Sequence, residues 1–166
     1  PEQLLSIPDL SHECEPSFLA RSTIFGHIET TDTSDDASRM NPNVKRAWRK
    51  AIGLYKKHIR TIIDDAEVFH HLPETDDYKK RVGAVIIEYA LPDKSKSIIG
   101  IFKLNGLSDE FVITPRGISS SCRYSVYSDN DETRYKINGS DILEKGLKTH
   151  IIGQKTSEVL VLERIE

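Results

Sequence analysis

The second half of the chain breaks into short apolar runs at a spacing that points to an antiparallel β fold. Between Gly83 and Glu166 the runs Ala84–Leu91, Ile98–Leu104, Glu110–Thr114, Cys122–Ser128, Leu147–Ile152 and Glu158–Arg164 alternate with clusters of turn-forming residues, the pattern of a β-sandwich. In the first run Val85, Ile87, Tyr89 and Leu91 alternate with Ala84, Ile86, Glu88 and Ala90, the period of two that sends successive side chains to opposite faces. Pro92-Asp93-Lys94-Ser95 predicts a hairpin turn into Ser97–Leu104. Asn105-Gly106 and Arg116-Gly117 are further turn points, and Ser128-Asp129-Asn130-Asp131 reads as a hairpin tip. Ser140–Gly146, with a hydroxyl cap and a closing glycine, reads as one helical turn. Val159–Leu162 is apolar on both faces, which predicts a central strand rather than an edge.

Upstream the period changes. Asn41-Pro42 is a strong helix start, because an asparagine side chain can cap free N–H groups and proline's fixed φ suits the first helical position. From there Val44, Ala47, Trp48, Ala51, Ile52, Tyr55, Ile59, Ile62 and Ile63 recur three and four residues apart, which predicts one long amphipathic helix over Asn41–Ile63 with Trp48 and Ile52 inward. Its other face carries Lys45, Arg46, Arg49, Lys50, Lys56, Lys57 and Arg60. This basic stripe lacks the interleaved aromatics on which a single-strand binder stacks bases, and it reads as a solvated face. Pro1–Arg21 reads as a loop with a short strand or helical turn, its apolar cluster at Leu4, Leu5, Ile7 and Leu10 ahead of Phe18-Leu19. Ser22–Phe25 reads as a short strand ended by Gly26, and Glu29–Met40 as an exposed acidic loop.

Composition narrows the function. The formal net charge is −3, whereas a dedicated nucleic-acid binder is usually basic, so no nucleic-acid partner is expected. No apolar stretch approaches the ~20 residues of a bilayer span, so no membrane partner is expected either. Cys14 and Cys122 are the only cysteines, too few and too far apart for a disulfide framework or a CxxC site, and they read as free, buried thiols. His70 and His71 lie beside Asp76-Asp77, but neighbours on a strand point to opposite faces and make poor ligands for one ion. There is no HExxH, no GxSxG elbow and no glycine-rich phosphate loop. No metal and no cofactor is expected. The many Asp and Glu residues read as solvated surface groups.

The order of several motifs resembles a known family. Ser6-Ile7-Pro8-Asp9, Phe18-Leu19-Ala20-Arg21, Phe25-Gly26-His27, Leu54-Tyr55-Lys56-Lys57 and Val68-Phe69-His70-His71-Leu72 are followed by Thr114-Pro115-Arg116-Gly117-Ile118, Arg123-Tyr124-Ser125-Val126, Asn138–Leu147 and Ser157–Glu163. This succession resembles the end of the α-galactosidase-type glycoside hydrolases of family 36, in which a (β/α)8 barrel precedes an antiparallel β-sandwich. The resemblance implies a mainly β chain: the last portion of a catalytic barrel over residues 1–65, including the long amphipathic helix, then a C-terminal antiparallel β-sandwich over residues 66–166. A complete barrel takes about 250 residues. The chain would therefore be a C-terminal region of a retaining α-glycosidase, non-catalytic itself and supporting the barrel, with the two catalytic aspartates of the family outside it.

Barrel enzymes place function on the loops after their strands, so the same resemblance puts Arg21, Phe25 and His27 near an α-linked sugar substrate as substrate-binding candidates. It also implies a barrel-facing apolar surface around Leu4, Leu5, Ile7, Ile24 and part of the helix, so that either Pro1–Asp36 is loosely ordered or the chain self-associates through it. The alternative is a carbohydrate-binding or protein-interaction β-sandwich module. That reading needs aromatics sharing one sandwich face, with Tyr124, Tyr127 and Tyr135 as the available set, and Tyr124 and Tyr127 have opposite parity on one strand.

Overall fold

The computed structural model describes residues 14–26, 41–71, 83–106 and 108–165. In chain order the elements are α1 (Pro16–Ile24), α2 (Pro42–Leu54) with a π-helical turn at Tyr55–Ile59, β1 (Glu67–His71), β2 (Ala84–Ala90), β3 (Lys96–Lys103), β4 (Glu110–Ile113), β5 (Arg123–Ser128), β6 (Thr133–Asn138), α3 (Gly139–Lys145), β7 (Leu147–His150) and β8 (Thr156–Arg164). Six strands form one sheet in the order β1-β2-β3-β8-β5-β6, and β4 pairs with β7 in a second, two-stranded sheet. Every pairing is antiparallel. The chain is thus mainly β with a helical portion ahead of it, as expected.

The large sheet has two apolar faces and each is covered. On one, Ile87, Tyr89, Ile98, Phe102, Val159 and Val161 pack against Phe18, Ile24 and Phe25 of the α1 region and Trp48, Leu54, Ile59 and Ile62 of the α2 region. On the other, Ile86, Ile99, Ile101, Tyr124, Val126 and Leu160 meet Phe111, Ile113 and Leu147 of the small sheet, together with Ile118, Ile142 and Ile151. The register explains the division: Ile98 pairs with Val161 and Ile99 with Leu160, so each cross-strand pair commits to one face. Across the sequence boundary at residue 65, the helices and the sheet share one apolar cluster.

Residues Ser22–Phe25 are helix end and turn, not the strand that their β-branched composition suggests, and Pro16–Arg21 is helix rather than loop. Two local interactions make this possible. Pro16 occupies the first turn, where its missing N–H costs nothing, and the Ser22 and Thr23 hydroxyls donate back to the carbonyls of Leu19 (2.8 Å) and Ala20 (2.9 Å). The helix is held because Phe18, Ile24 and Phe25 are each 2% exposed. Ile24 is therefore core, not part of an exposed barrel-facing surface. Leu4, Leu5, Ile7, Leu10 and the acidic run Glu29–Met40 lie outside the described residues.

Helix α2 begins as its sequence predicts, with the Asn41 side chain accepting from the Asn43 N–H at 2.9 Å and Pro42 first in the helix. Trp48 is buried and Ile52 half-buried, while Arg49 and Lys56 are exposed. The helix does not run regularly to Ile63. At Tyr55–Ile59 it widens to a π turn, closed by the Arg60 N–H donating to the Tyr55 carbonyl at 2.8 Å, and the extra residue brings both His58 and Ile59 inward. Helix α3 matches the expected single short helix ending at Gly146, but its N-cap is Asn138 rather than Ser140. Strand β8 lies between β3 and β5, the central position predicted for Val159–Leu162.

One close approach seats α1. A Cβ at Gly100, in the middle of β3, would lie 2.8 Å from the Phe25 ring, so the absence of a side chain there is what admits the ring. Phe25 meets Phe102 edge-on (5.7 Å, 78°), as does Phe18 (5.8 Å, 86°), geometries that suit the aromatic quadrupole. The Tyr89 hydroxyl donates to the Phe25 carbonyl at 2.6 Å, giving the turn after α1 a fixed acceptor. Phe102→Ala removes the shared partner of both rings and is expected to cost about 3–5 kcal/mol, whereas Lys56→Asp on the exposed helix face stays within about 0.5 kcal/mol. Urea unfolding of both variants checks the assignment, and equal losses would contradict it.

Candidate functional site

The polar residues that the fold buries concentrate where α1, α2 and the β5–β6 turn meet. Arg21, on α1 and 4% exposed, donates through Nη1 to Asn130 Oδ1 (2.7 Å), the Ser157 carbonyl (2.7 Å) and Ser157 Oγ (3.3 Å), and through Nη2 to Asp129 Oδ2. Lys50, from α2, approaches the same turn, donating to the Asp129 carbonyl at 2.7 Å and to Glu132 Oε1 at 3.0 Å. Two helices and strand β8 are therefore fastened to one tight turn. A planar guanidinium can meet a carboxylate, an amide and a backbone carbonyl together, which a lysine ammonium cannot reproduce.

The turn is also gripped from the opposite face of the sheet. Glu158, on β8 and 1% exposed, accepts from the Ser128 hydroxyl (2.9 Å) and from the N–H groups of Asp129 (3.0 Å), Asn130 (3.1 Å) and Val159 (2.7 Å). Burial pushes its carboxyl up from the usual range, and these bonds with the Arg21 charge pull it only part of the way back. Glu88, on β2 and unexposed, is the reverse case. Burial raises it, but bonds from His71 Nε2 (2.7 Å), the Arg116 N–H (2.8 Å), the Ser97 hydroxyl (2.7 Å) and the Gly117 N–H (2.7 Å) outweigh burial and hold it below the ordinary carboxylate value. A Cβ on Gly117 would sit 2.1 Å from the Ala90 Cβ and 2.7 Å from Glu88 Oε1, so that close approach requires glycine.

Glu88 and Glu158 share a face of the sheet, but strand spacing puts them about 12 Å apart, with Ile99 and Ile101 on the intervening strand. Retaining glycosidases need two carboxyl groups about 5–5.5 Å apart, open to the sugar. Each of these two is instead enclosed and engaged with backbone N–H groups. The chemistry available to such groups is fixing loops, not proton transfer to a ligand.

The residues singled out in the sequence are dispersed. Arg21 is in the buried junction and Phe25 in the apolar core at 2% exposure, while His27 lies outside the described residues. Tyr124 is buried on the small-sheet face with its hydroxyl donating to the Lys94 carbonyl at 2.9 Å, Tyr127 is half-buried on the helix face, and Tyr135 is 41% exposed. The three do not form one aromatic platform. His71 points to Glu88 whereas His70 is exposed, and no group of three or more potential metal ligands occurs among the described residues. Cys14 and Cys122 are half-buried rather than interior. Of the basic stripe, Lys50 joins the junction, while Arg46, Arg49, Lys56, Lys57 and Arg60 are exposed. The inward carboxylates escaped the sequence reading, although their parity gives them away: Glu88 and Glu158 occupy the core-facing register of otherwise apolar strands.

No family model matches the sequence, and no curated protein matches it. Solved structures do. An α-galactosidase from Lactobacillus brevis superposes with a TM-score of 0.58 at 15% identity, over 79% of this chain and 18% of that one. The GH36 α-galactosidase AgaA from Geobacillus stearothermophilus, solved with stachyose, gives a TM-score of 0.60 at 13% identity, over 78% of this chain and 17% of that one. The galactosidase domain of the α-galactosidase-sucrose kinase AgaSK gives 0.57 at 12% identity, over 77% and 17%. The chain has the fold of a C-terminal portion of GH36 α-galactosidases. It spans less than a fifth of the length of those chains, and at these identities the likeness is one of fold.

Two sets of measurements probe the junction and the separate Glu88 site. Arg21→Met leaves Asp129 buried without its main counter-charge and is expected to cost about 3–5 kcal/mol. Lys50→Met removes a side chain that is 40% exposed and costs at most about 1 kcal/mol. A cycle combining Arg21→Met with Asp129→Asn should show strong coupling, and additive losses would refute the junction. For Glu88, a folded-state pKa below the unfolded value means that its stabilisation is present above about pH 4.5 and is lost as the pH falls through the folded pKa. The unfolding free energy of Glu88→Gln should accordingly decline less steeply than that of the parent chain below that pH.

Proposed function

We propose that this chain is the C-terminal supporting part of a retaining α-glycosidase of the α-galactosidase type, without the carboxylate pair that cleaves the glycosidic bond. The observation that carries the reading is the coverage of the structural matches: 77–79% of this chain corresponds to only 17–18% of each α-galactosidase. The substrate is then an α-linked sugar, met by a barrel that the preceding part of the polypeptide supplies. The role of this part is mechanical. Helices contributed to the barrel are fastened by Arg21 and by the Phe18, Phe25 and Phe102 cluster to a sheet that does not belong to it, which holds the barrel's last elements in register.

In this reading Arg21 and Phe25 act on the sugar site indirectly, by fixing α1 and the turn after it, and His27 is the member of that trio assigned to the sugar. The test is direct. The purified chain should not hydrolyse an aryl α-galactoside, whereas the longer protein should, with Arg21→Met lowering its thermal stability. Turnover by the chain alone, abolished by substituting one of its carboxylates, would overturn the proposal. Tight binding of α-galactosides by the chain alone would replace it with a sugar-binding module.

A further inference from the structure

His58 sits in the π-helical turn, 2% exposed, and its Nδ1 is buried without a hydrogen-bond partner. Glu163 Oε1 on β8 lies 3.6 Å from it, beyond hydrogen-bond reach. That carboxylate is already shared, with Lys96 of β3 at 3.4 Å and Arg134 of β6 at 3.3 Å. The imidazole stacks on Tyr127 of β5 (6.5 Å, 21°), and Arg134 lies over the other aromatic partner of that stack at 5.5 Å from its centroid. On its own element the flanking groups are Lys57 and Thr61, whose hydroxyl donates to the His58 carbonyl at 2.7 Å and receives Lys96 Nζ at 3.4 Å. A neutral ring is thus enclosed by three cations and one anion whose capacity is largely taken.

We propose that His58 is an acid-operated latch that holds the π-helical turn, and with it the end of α2, against the sheet. Neutral, the ring stays buried against Tyr127 at the end of the helix. Protonated, it becomes a buried cation facing Lys96, Lys57 and Arg134, with Glu163 as its one opposing charge, and leaving the interior for water is the lower-energy outcome. The π turn suits this role, since a wide turn is already the least regular part of the helix. In agreement with the geometry, burial first and the Lys96 charge second depress the affinity of His58 for a proton, against the raising effect of Glu163.

The direction follows from linkage. A histidine whose folded-state pKa lies below its unfolded value near 6.5 stabilises the closed form fully above that pH, and the closed form weakens as the pH falls below it. The experiment is hydrogen exchange of the amides of Tyr55–Ile63 in the full chain between pH 7 and 5, corrected for intrinsic exchange. The opening constant in the parent chain is expected to rise by up to about tenfold per pH unit below 6.5. His58→Phe keeps the ring and cannot take the proton, so its opening constant should stay flat across the same range. Equal pH profiles for the two chains would overturn the proposal. Should His58→Phe fail to fold, the NMR titration of the His58 ring in the parent chain decides alone: a folded-state pKa clearly below 6.5 supports the latch, and one at or above it refutes it.

Discussion

Strands β3 and β8 form the interior of the large sheet and have no solvent-facing side. From Ser97 to Lys103, and from Thr156 to Leu162, every residue is buried, so a layer must lie on each face before this pair can be stable. Neither cover suffices alone. The small sheet with α3 protects one face, and among the described residues α1 and α2 protect the other, through Phe18, Phe25, Trp48 and Ile59. The helices are therefore part of the minimal stable unit, and the three-layer arrangement follows from the two-sided apolar character of one strand pair.

Burying both faces forces a second requirement. Polar groups carried into the interior on β2, β3 and β8 need partners, and those they find tie together segments far apart in sequence. Arg21 reaches the Ser157 carbonyl across 136 residues, Glu88 reaches Gly117 across 29, and the buried Lys103 ammonium is met by Asp109 and by the Ile151 carbonyl at 3.1 Å. Replacing whole buried pairs of such groups together with apolar side chains often costs a protein little stability, although removing one member alone costs much. Their contribution here is geometric, since each admits one relative placement of the elements that it joins. In the proposed enzyme, that is what a support for the end of a barrel has to provide.

The strands were legible because alternation on a half-covered or fully covered sheet leaves a local mark, and the Asn41-Pro42 start of α2 was legible because capping is local chemistry. Four features were not. Helix α1 was hidden by the β-branched Thr23-Ile24 pair, and its helical state depends on the contacts of Phe18 and Phe25 with Phe102 and Tyr89. Strand β6 is an edge whose residues are mostly exposed, so Thr133–Asn138 shows no apolar run. The π turn reflects a packing adjustment around His58 that periodicity cannot record. The Arg21 junction joins a helix to a hairpin tip more than 100 residues away, and only the fold reveals that an arginine marked out by motif resemblance is enclosed.

The order of strands in the large sheet has a consequence for how the chain is made. Strand β8, the last in sequence, occupies an inner position between β3 and β5, so during synthesis the β1-β2-β3 portion and the β5–β6 hairpin exist first as two separate pieces, each with one unpaired inner edge. Their charges stand only at the strand ends, Lys96 and Lys103 on β3 and Arg123 on β5, so Ile98–Phe102 and Tyr124–Ser128 lack the charges and prolines that discourage wrong pairing. Until Thr156–Arg164 emerges and joins them, the nascent chain presents two sticky strands with a gap of one strand between them. The same vacancy is where pairing with a neighbouring polypeptide competes with the native strand.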